Sequence, residues 1–155
     1  MMRGGALELA DEAATARIGA ALASVIEAGD VVALSGPLGA GKTTLARGVL
    51  AALGLGDEAP SPSFALVIPY ALPDVTLPLW HIDLYRIEDP AEIEELGLDD
   101  ARSDAALLIE WPERMGAGLW SDTLRLTLQP SSAGGRHLTW SAPTAWDGRW
   151  PPASA

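Results

Sequence analysis

The chain of 155 residues contains no cysteine and no asparagine, two histidines, and a single lysine against nine arginines. Without cysteine there are no disulfides, no thiolate nucleophile and no cysteine-ligated metal, and His81 and His137 alone leave little for a transition-metal site. Any metal is expected to be a hard, oxygen-bound one. No apolar run approaches the ~20 residues of a membrane span, and the start "MMRGGALELADEAAT" lacks the basic and apolar stretches of a signal peptide. The expected location is the cytoplasm. Positive charge is also scarce. Ten basic against twenty-one acidic residues give a net charge of −11, the wrong sign for gripping a phosphate backbone, so strong direct nucleic-acid binding is not expected. From Asp83 to Asp104 nine acids accompany only Arg86 and Arg102. This stretch reads as a solvated acidic face or as an electrostatic docking surface for a basic partner.

What is present fits a soluble globular chain, 48% hydrophobic and long enough for one domain. A chain of this size buries roughly two thirds of its unfolded surface. A single domain is expected over residues 1–142, with a Pro- and Trp-rich, mobile tail over 143–155. Asp11 can cap a helix carrying Ile18, Leu22, Val25 and Ile26 at helical spacing, with Gly29 at its end. "VVALSG" is a short apolar run of the kind buried on both faces of a parallel sheet, and "KTTLARGVLAALG" is a helix stopped by Gly54. "FALVIPY" and "LPLWHIDLYRI" read as strands, "DPAEIEELG" as a helix capped by Asp89 with Pro90 in its first turn, and "AALLIEW" as a further buried strand. "TLRLTLQ" and "RHLTWSA" alternate polar and apolar around "PSSAGG" and predict an antiparallel hairpin. The fold class is α/β: a mixed, mostly parallel sheet flanked by helices, ending in that hairpin.

The one lysine falls inside the pattern G-x-x-x-x-G-K-[ST], as Gly36, Gly41, Lys42 and Thr43, between a predicted buried strand and a predicted helix. Glycines let a backbone curl until successive N–H groups point at a phosphate, and the following helix adds its positive end. Lys42 supplies a compact ammonium for the β and γ phosphates, which an arginine fork does not simply replace, and Thr43 offers a hydroxyl to Mg²⁺. Such a loop needs acids at neighbouring strand ends, and Asp83 after "LPLWHI" and Glu110 after "AALLI" are the candidates. His81 reads equally as a packed, hydrogen-bonded residue or as a catalytic one. Trp80, Tyr85 and Trp111 can stack on a base or fill core. Guanine-reading relatives use N-K-x-D, which a chain without asparagine cannot contain, so adenine or no strong base preference is expected.

Four stretches in this order, "GPLGAGKTT", "SPSF", "HIDLYR" and "IEWPER", with "EDPAEIEELGLDD" between the last two, resemble the TsaE family of bacterial tRNA threonylcarbamoyladenosine biosynthesis ATPases. The resemblance spans roughly Asp30 to Arg114. It implies a small P-loop NTPase fold, binding of ATP or ADP with Mg²⁺, and service to the TsaB–TsaD pair as protein partner. By motif, Gly36, Gly39, Ala40, Gly41, Lys42, Thr43 and Thr44 would hold phosphates and metal. Ser61, Pro62, Ser63 and Phe64 would form a switch-like loop near the γ-phosphate. Asp83 and Glu110 would act with Lys42 in catalysis, through the metal or the attacking water, and Trp111 would lie close to the nucleotide. Two positions depart from the family: Pro37 stands where an acid is common and removes a loop N–H, and Ser63 replaces a threonine but keeps a hydroxyl. Slow ATP hydrolysis is expected, rising when a partner completes the site, with Arg86 a candidate finger in cis. A small-molecule kinase and a non-hydrolysing nucleotide sensor are the competing readings.

Overall fold

The computed structural model describes residues 2–37, 39–55 and 66–151. In chain order its elements are β1 (Arg3–Leu9), α1 (Glu12–Ala23), β2 (Val31–Ser35), α2 (Lys42–Ala52), β3 (Val67–Tyr70), β4 (Leu79–Asp83), α3 (Pro90–Glu94), α4 (Leu98–Ala101), β5 (Ala106–Glu110), β6 (Leu124–Pro130) and β7 (Arg136–Ala142). Short 3-10 turns follow β5 and β7 at Pro112–Gly118 and Thr144–Trp146. No helix among the described residues is long and apolar enough to cross a membrane.

Runs that are apolar up to their last residue have no polar face to give to water, and the two such runs here, β2 and β5, lie side by side in the middle of the sheet. The full order is β1-β7-β6-β2-β5-β4-β3. β6, β2, β5 and β4 run parallel, whereas β1 with β7, β7 with β6 and β3 with β4 are antiparallel. The expected mixed sheet, its flanking helices and its closing hairpin are therefore present. It is not mostly parallel, since antiparallel pairings are as many as parallel ones among the described residues. The balance comes from the two edges: β1 was not anticipated, and no pattern within "FALVIPY" tells its strand direction.

Side chains alternate across each strand, and the two faces carry separate cores. Val32, Leu34, Leu79, Ala106, Leu108, Leu124, Leu126 and Leu128 pack under α1 and α2, while Val31, Ile82, Leu107 and Ile109 pack under α3, α4 and the turn after β5. α1 starts as predicted, with the Asp11 carboxylate accepting from Ala14 N–H at 2.8 Å. It ends at Ser24, however, well before Gly29, because Val25 and Ile26 belong to the turn that leads into β2. α3 likewise carries its predicted cap, with Asp89 accepting from Ala91 N–H at 3.0 Å.

Two features escaped the sequence pattern. β1 is an edge strand whose half-exposed residues give only a weak alternation, and Gly5 in it lies under the Trp140 indole, where a Cβ would collide with the ring. The expected mobile tail also requires correction over residues 143–151. Trp146 and Trp150 are buried in the α1–α2 core, and Arg149 spans Asp30 at 2.6 and 3.1 Å while lying 4.3 Å from the Trp146 ring. Anchoring by isolated aromatics in a short turn leaves no periodicity to read.

α1 and α2 pack closely against each other. A Cβ at Gly48 would strike the Ala16 carbonyl oxygen, and one at Gly19 would strike that of Leu45, so the helices cross through two glycines. Gly48→Ala is expected to lower stability by about 1–3 kcal/mol through overpacking, despite alanine's better helix propensity. Urea denaturation checks this, and an unchanged or raised midpoint would contradict the crossing.

Candidate functional site

Parallel strands deliver their C-terminal ends to one edge of the sheet, and here that edge collects Ser35 of β2, Asp83 of β4 and Glu110 of β5. The chain leaves β2 through a glycine turn that a substituted residue could not follow. Gly36 has φ +140° and backs onto the Leu128 carbonyl, where a Cβ would collide; Gly39 and Gly41 have φ +76° and +102°. Gly41 is the N-cap of α2 and supplies no side-chain hydrogen bond, so the first amides of that helix have no side-chain partner at the cap. An uncapped helix start beside a glycine turn is suited to an anion.

Lys42, first residue of α2, is buried with its Nζ donating to the Gly36 carbonyl at 2.7 Å and lying 3.7 Å from the centroid of the Trp111 ring. Burial pushes its pKa below the ordinary lysine value, and the charges of Glu110, Asp83 and Glu113 oppose that fall. Trp111 holds a left-handed backbone (φ 60°, ψ 50°), the one positive φ outside glycine among the described residues. That turn swings its indole over Lys42 and against Tyr85, with ring centroids 4.8 Å apart.

Asp83 and Glu110 are direct register partners and so share the sheet face that looks toward α2. Both are buried. The Asp83 carboxylate accepts from Tyr85 N–H at 2.9 Å, and Glu110 Oε2 lies 2.7 Å from His81 Nε2. Burial raises the Asp83 pKa above the usual carboxylate range; the Tyr85 amide works against this, and the neighbouring Glu110 charge adds to it.

Lys42, Asp83, Glu110, Trp111 and Tyr85 line one cavity of about 610 Å³. Of the residues expected from sequence, Gly39, Gly41, Lys42, Thr43, Thr44, Asp83, Glu110 and Trp111 form its wall. Gly36 and Ala40 do not: the first is pressed on β6 and the second points its methyl into the core. Ser61, Pro62, Ser63 and Phe64 lie outside the described residues. Tyr85 and Arg86 also line the cavity, while Trp80 packs against the opposite core, which favours its reading as a core residue. Thr43, Asp83 and Glu110 offer an all-oxygen donor set, and among the described residues no group of three or more His, Asp or Glu forms a metal cage. Such a set suits an ion like Mg²⁺ that keeps waters and substrate oxygens in its shell.

One wall was missed entirely. Asp11, Glu12 and Thr15 come from the start of α1, and Gly134, Gly135 and Arg136 from the hairpin turn, where Arg136 donates to the Gly39 carbonyl at 3.0 Å. The signal was in plain view as a helix cap and a glycine turn. What joins them is the pairing of Leu9 with Arg136, which brings the end of β1 and the start of β7 together beside the C-terminal end of β6.

A family model described as threonylcarbamoyl adenosine biosynthesis protein TsaE matches residues 9–138. The chain belongs to the TsaE family. It is 41% identical over 112 residues to the tRNA threonylcarbamoyladenosine biosynthesis protein TsaE of Streptomyces coelicolor, covering 72% of this chain and 76% of the relative. It is 37% identical over 121 residues to the protein of the same name from Bacillus subtilis, covering 77% and 74%. The crystal structure of Bacillus subtilis YdiB superposes with a TM-score of 0.75 at 28% identity, over 92% of this chain and 87% of that one. The TsaE match runs from the end of β1 into β7, so it takes in the glycine turn, both strand-end acids and Arg136.

Because the native state retains the Asp83 proton at pH values where the unfolded chain has lost it, Asp83 ionisation costs stability as pH rises from about 3.9 through the raised native value. Asp83→Asn, which keeps an acceptor for Tyr85, is therefore expected to melt higher than the parent at pH 7, with the advantage shrinking toward pH 4. Thermal unfolding at several pH values checks this. No gain at pH 7 would mean that Lys42 and its surroundings fully compensate the Asp83 charge.

Proposed function

We propose that the chain is a Mg²⁺-dependent ATPase of the P-loop NTPase type that acts with the TsaB–TsaD pair in threonylcarbamoyladenosine modification of tRNA. The observation that carries this reading is the meeting of Lys42 and Thr43, at an uncapped helix start, with Asp83 and Glu110 in a single cavity. Family membership and the names of the relatives support the pathway.

The glycine turn and the first amides of α2 receive phosphate oxygens. Lys42 exchanges the Gly36 carbonyl for a charged oxygen, a stronger partner for an ammonium. Thr43 and one of the two carboxylates would hold Mg²⁺, which would supply positive charge to offset that of the phosphate oxygens. The other carboxylate orients the attacking water, and Trp111, lying over Lys42, keeps bulk water from that ammonium. The wall formed by Asp11, Thr15, Gly134 and Arg136 is left for the nucleoside. Catalysis is mostly positioning and charge stabilisation, and a partner that completes the site raises it. At a net charge of −11, the chain reaches tRNA chemistry by docking on a protein rather than by gripping RNA itself.

Lys42→Ala is expected to weaken ATP binding by about tenfold or more through loss of charge-assisted contacts. Glu110→Gln should bind ATP within about threefold of the parent yet lose about 100-fold in turnover, the scale of a misassigned proton or water. Calorimetric ATP binding and phosphate release with TsaB–TsaD present separate the two. A Glu110→Gln chain that hydrolyses ATP at the parental rate would remove Glu110 from the mechanism, and transfer to a small acceptor would turn the reading toward a kinase.

A further inference from the structure

We propose that His81 is a positioning residue that holds the Glu110 carboxylate in its working orientation. The inference rests on the ATPase reading for the use of Glu110, and on geometry alone for the contact. β4 and β5 pair in parallel with His81 opposite Leu108 and Asp83 opposite Glu110. Since alternate residues share a face, His81, Asp83 and Glu110 all point toward α2, with His81 one pleat behind the strand ends. From there its Nε2 reaches diagonally to Glu110 Oε2 at 2.7 Å, with both side chains almost wholly buried. His81 does not line the cavity, whereas Glu110 does, so the histidine acts through the glutamate and not on a ligand.

The other ring nitrogen fixes the direction of the bond. His81 Nδ1 is buried and has no hydrogen-bond partner among the described residues. A stranded N–H donor there would cost more than a stranded lone pair, so the proton sits on Nε2 and is donated to Glu110. A donor dedicated to Oε2 restricts rotation of the carboxylate and leaves Oε1 to serve the cavity. It also lowers the cost of keeping a carboxylate in a dry place beside Asp83, the same service that outer partners give to metal-ligating carboxylates.

The test compares the full chain with His81→Gln, whose amide can donate from a similar reach, and His81→Leu, which fills space without a donor. The first readout is Mn²⁺ affinity in the presence of saturating ADP, by electron paramagnetic resonance; the second is MgATP turnover with TsaB–TsaD. His81→Leu should bind metal-free ADP within about threefold of the parent but lose about 10–100-fold in turnover, and in Mn²⁺ affinity as well where Glu110 is the carboxylate that holds the metal, and His81→Gln should recover most of the loss. A third readout needs no His81 variant. Imidazole ¹⁵N spectra of the parent should show a protonated Nε2 and a bare Nδ1, with the Nε2 resonance moving in Glu110→Gln. Parental turnover in His81→Leu would overturn the proposal, as would a folded His81→Gln no better than Leu or an Nε2 resonance blind to Glu110→Gln. Failure of the parent itself to bind ADP would instead strike the ATPase reading, with the imidazole spectrum still deciding whether His81 holds Glu110.

Discussion

Lys42 carries its ammonium where little water reaches, and the local architecture follows from the need to keep it there. Burial alone would favour the neutral amine, so the charge survives by having Glu110, Asp83 and Glu113 nearby, a carbonyl to donate to, and an aromatic face above. Each partner imposes a constraint of its own. The carbonyl belongs to Gly36, which can pass so close to β6 only because it lacks a Cβ. The aromatic face belongs to Trp111, which reaches Lys42 only through a left-handed turn that most residues avoid. The acids must be strand-end residues in register, and being buried together they need donors: Tyr85 N–H for Asp83 and the His81 imidazole for Glu110.

This balance gives the site a defined arrangement. Lys42 is satisfied by internal partners, and under the proposed function a more highly charged ligand would displace them, so that binding would exchange contacts instead of creating a charge in a dry pocket. The crossing of α1 and α2 through Gly19 and Gly48 holds that helix start rigidly against the sheet. Rigidity matters because positioning is worth little if the positioned group can drift by an ångström. The C-terminal anchors reinforce it from below, as Arg149 ties the Asp30 turn that precedes β2 to buried Trp146.

Much of the fold and roughly half of the cavity wall were legible from residue order alone. Helix caps at Asp11 and Asp89, the all-apolar runs of β2 and β5, the hairpin alternation and the glycine–lysine–threonine pattern are local signals, because the forces behind them act within a few residues. Strand-end acids were legible for the same reason: a carboxylate that closes a mostly apolar strand has to emerge at an edge. His81 could be narrowed only to two roles, since whether a histidine beside a strand meets a partner depends on the neighbouring strand's register.

What the sequence by itself determined, then, is the chemistry available: one ammonium in a glycine turn, two strand-end carboxylates, no thiol, and a negative surface. Only the tertiary structure decided who meets whom. The pairing of β1 with β7 carries Asp11 and Arg136, 125 positions apart in the chain, to the same cavity. The parallel register of β4 on β5 sets His81 against Glu110, and the packing of two tryptophans turns an apparently patternless end into part of the core. These are long-range contacts, whose energies come from burial and from hydrogen bonds between segments, and no spacing within a single segment encodes the partner.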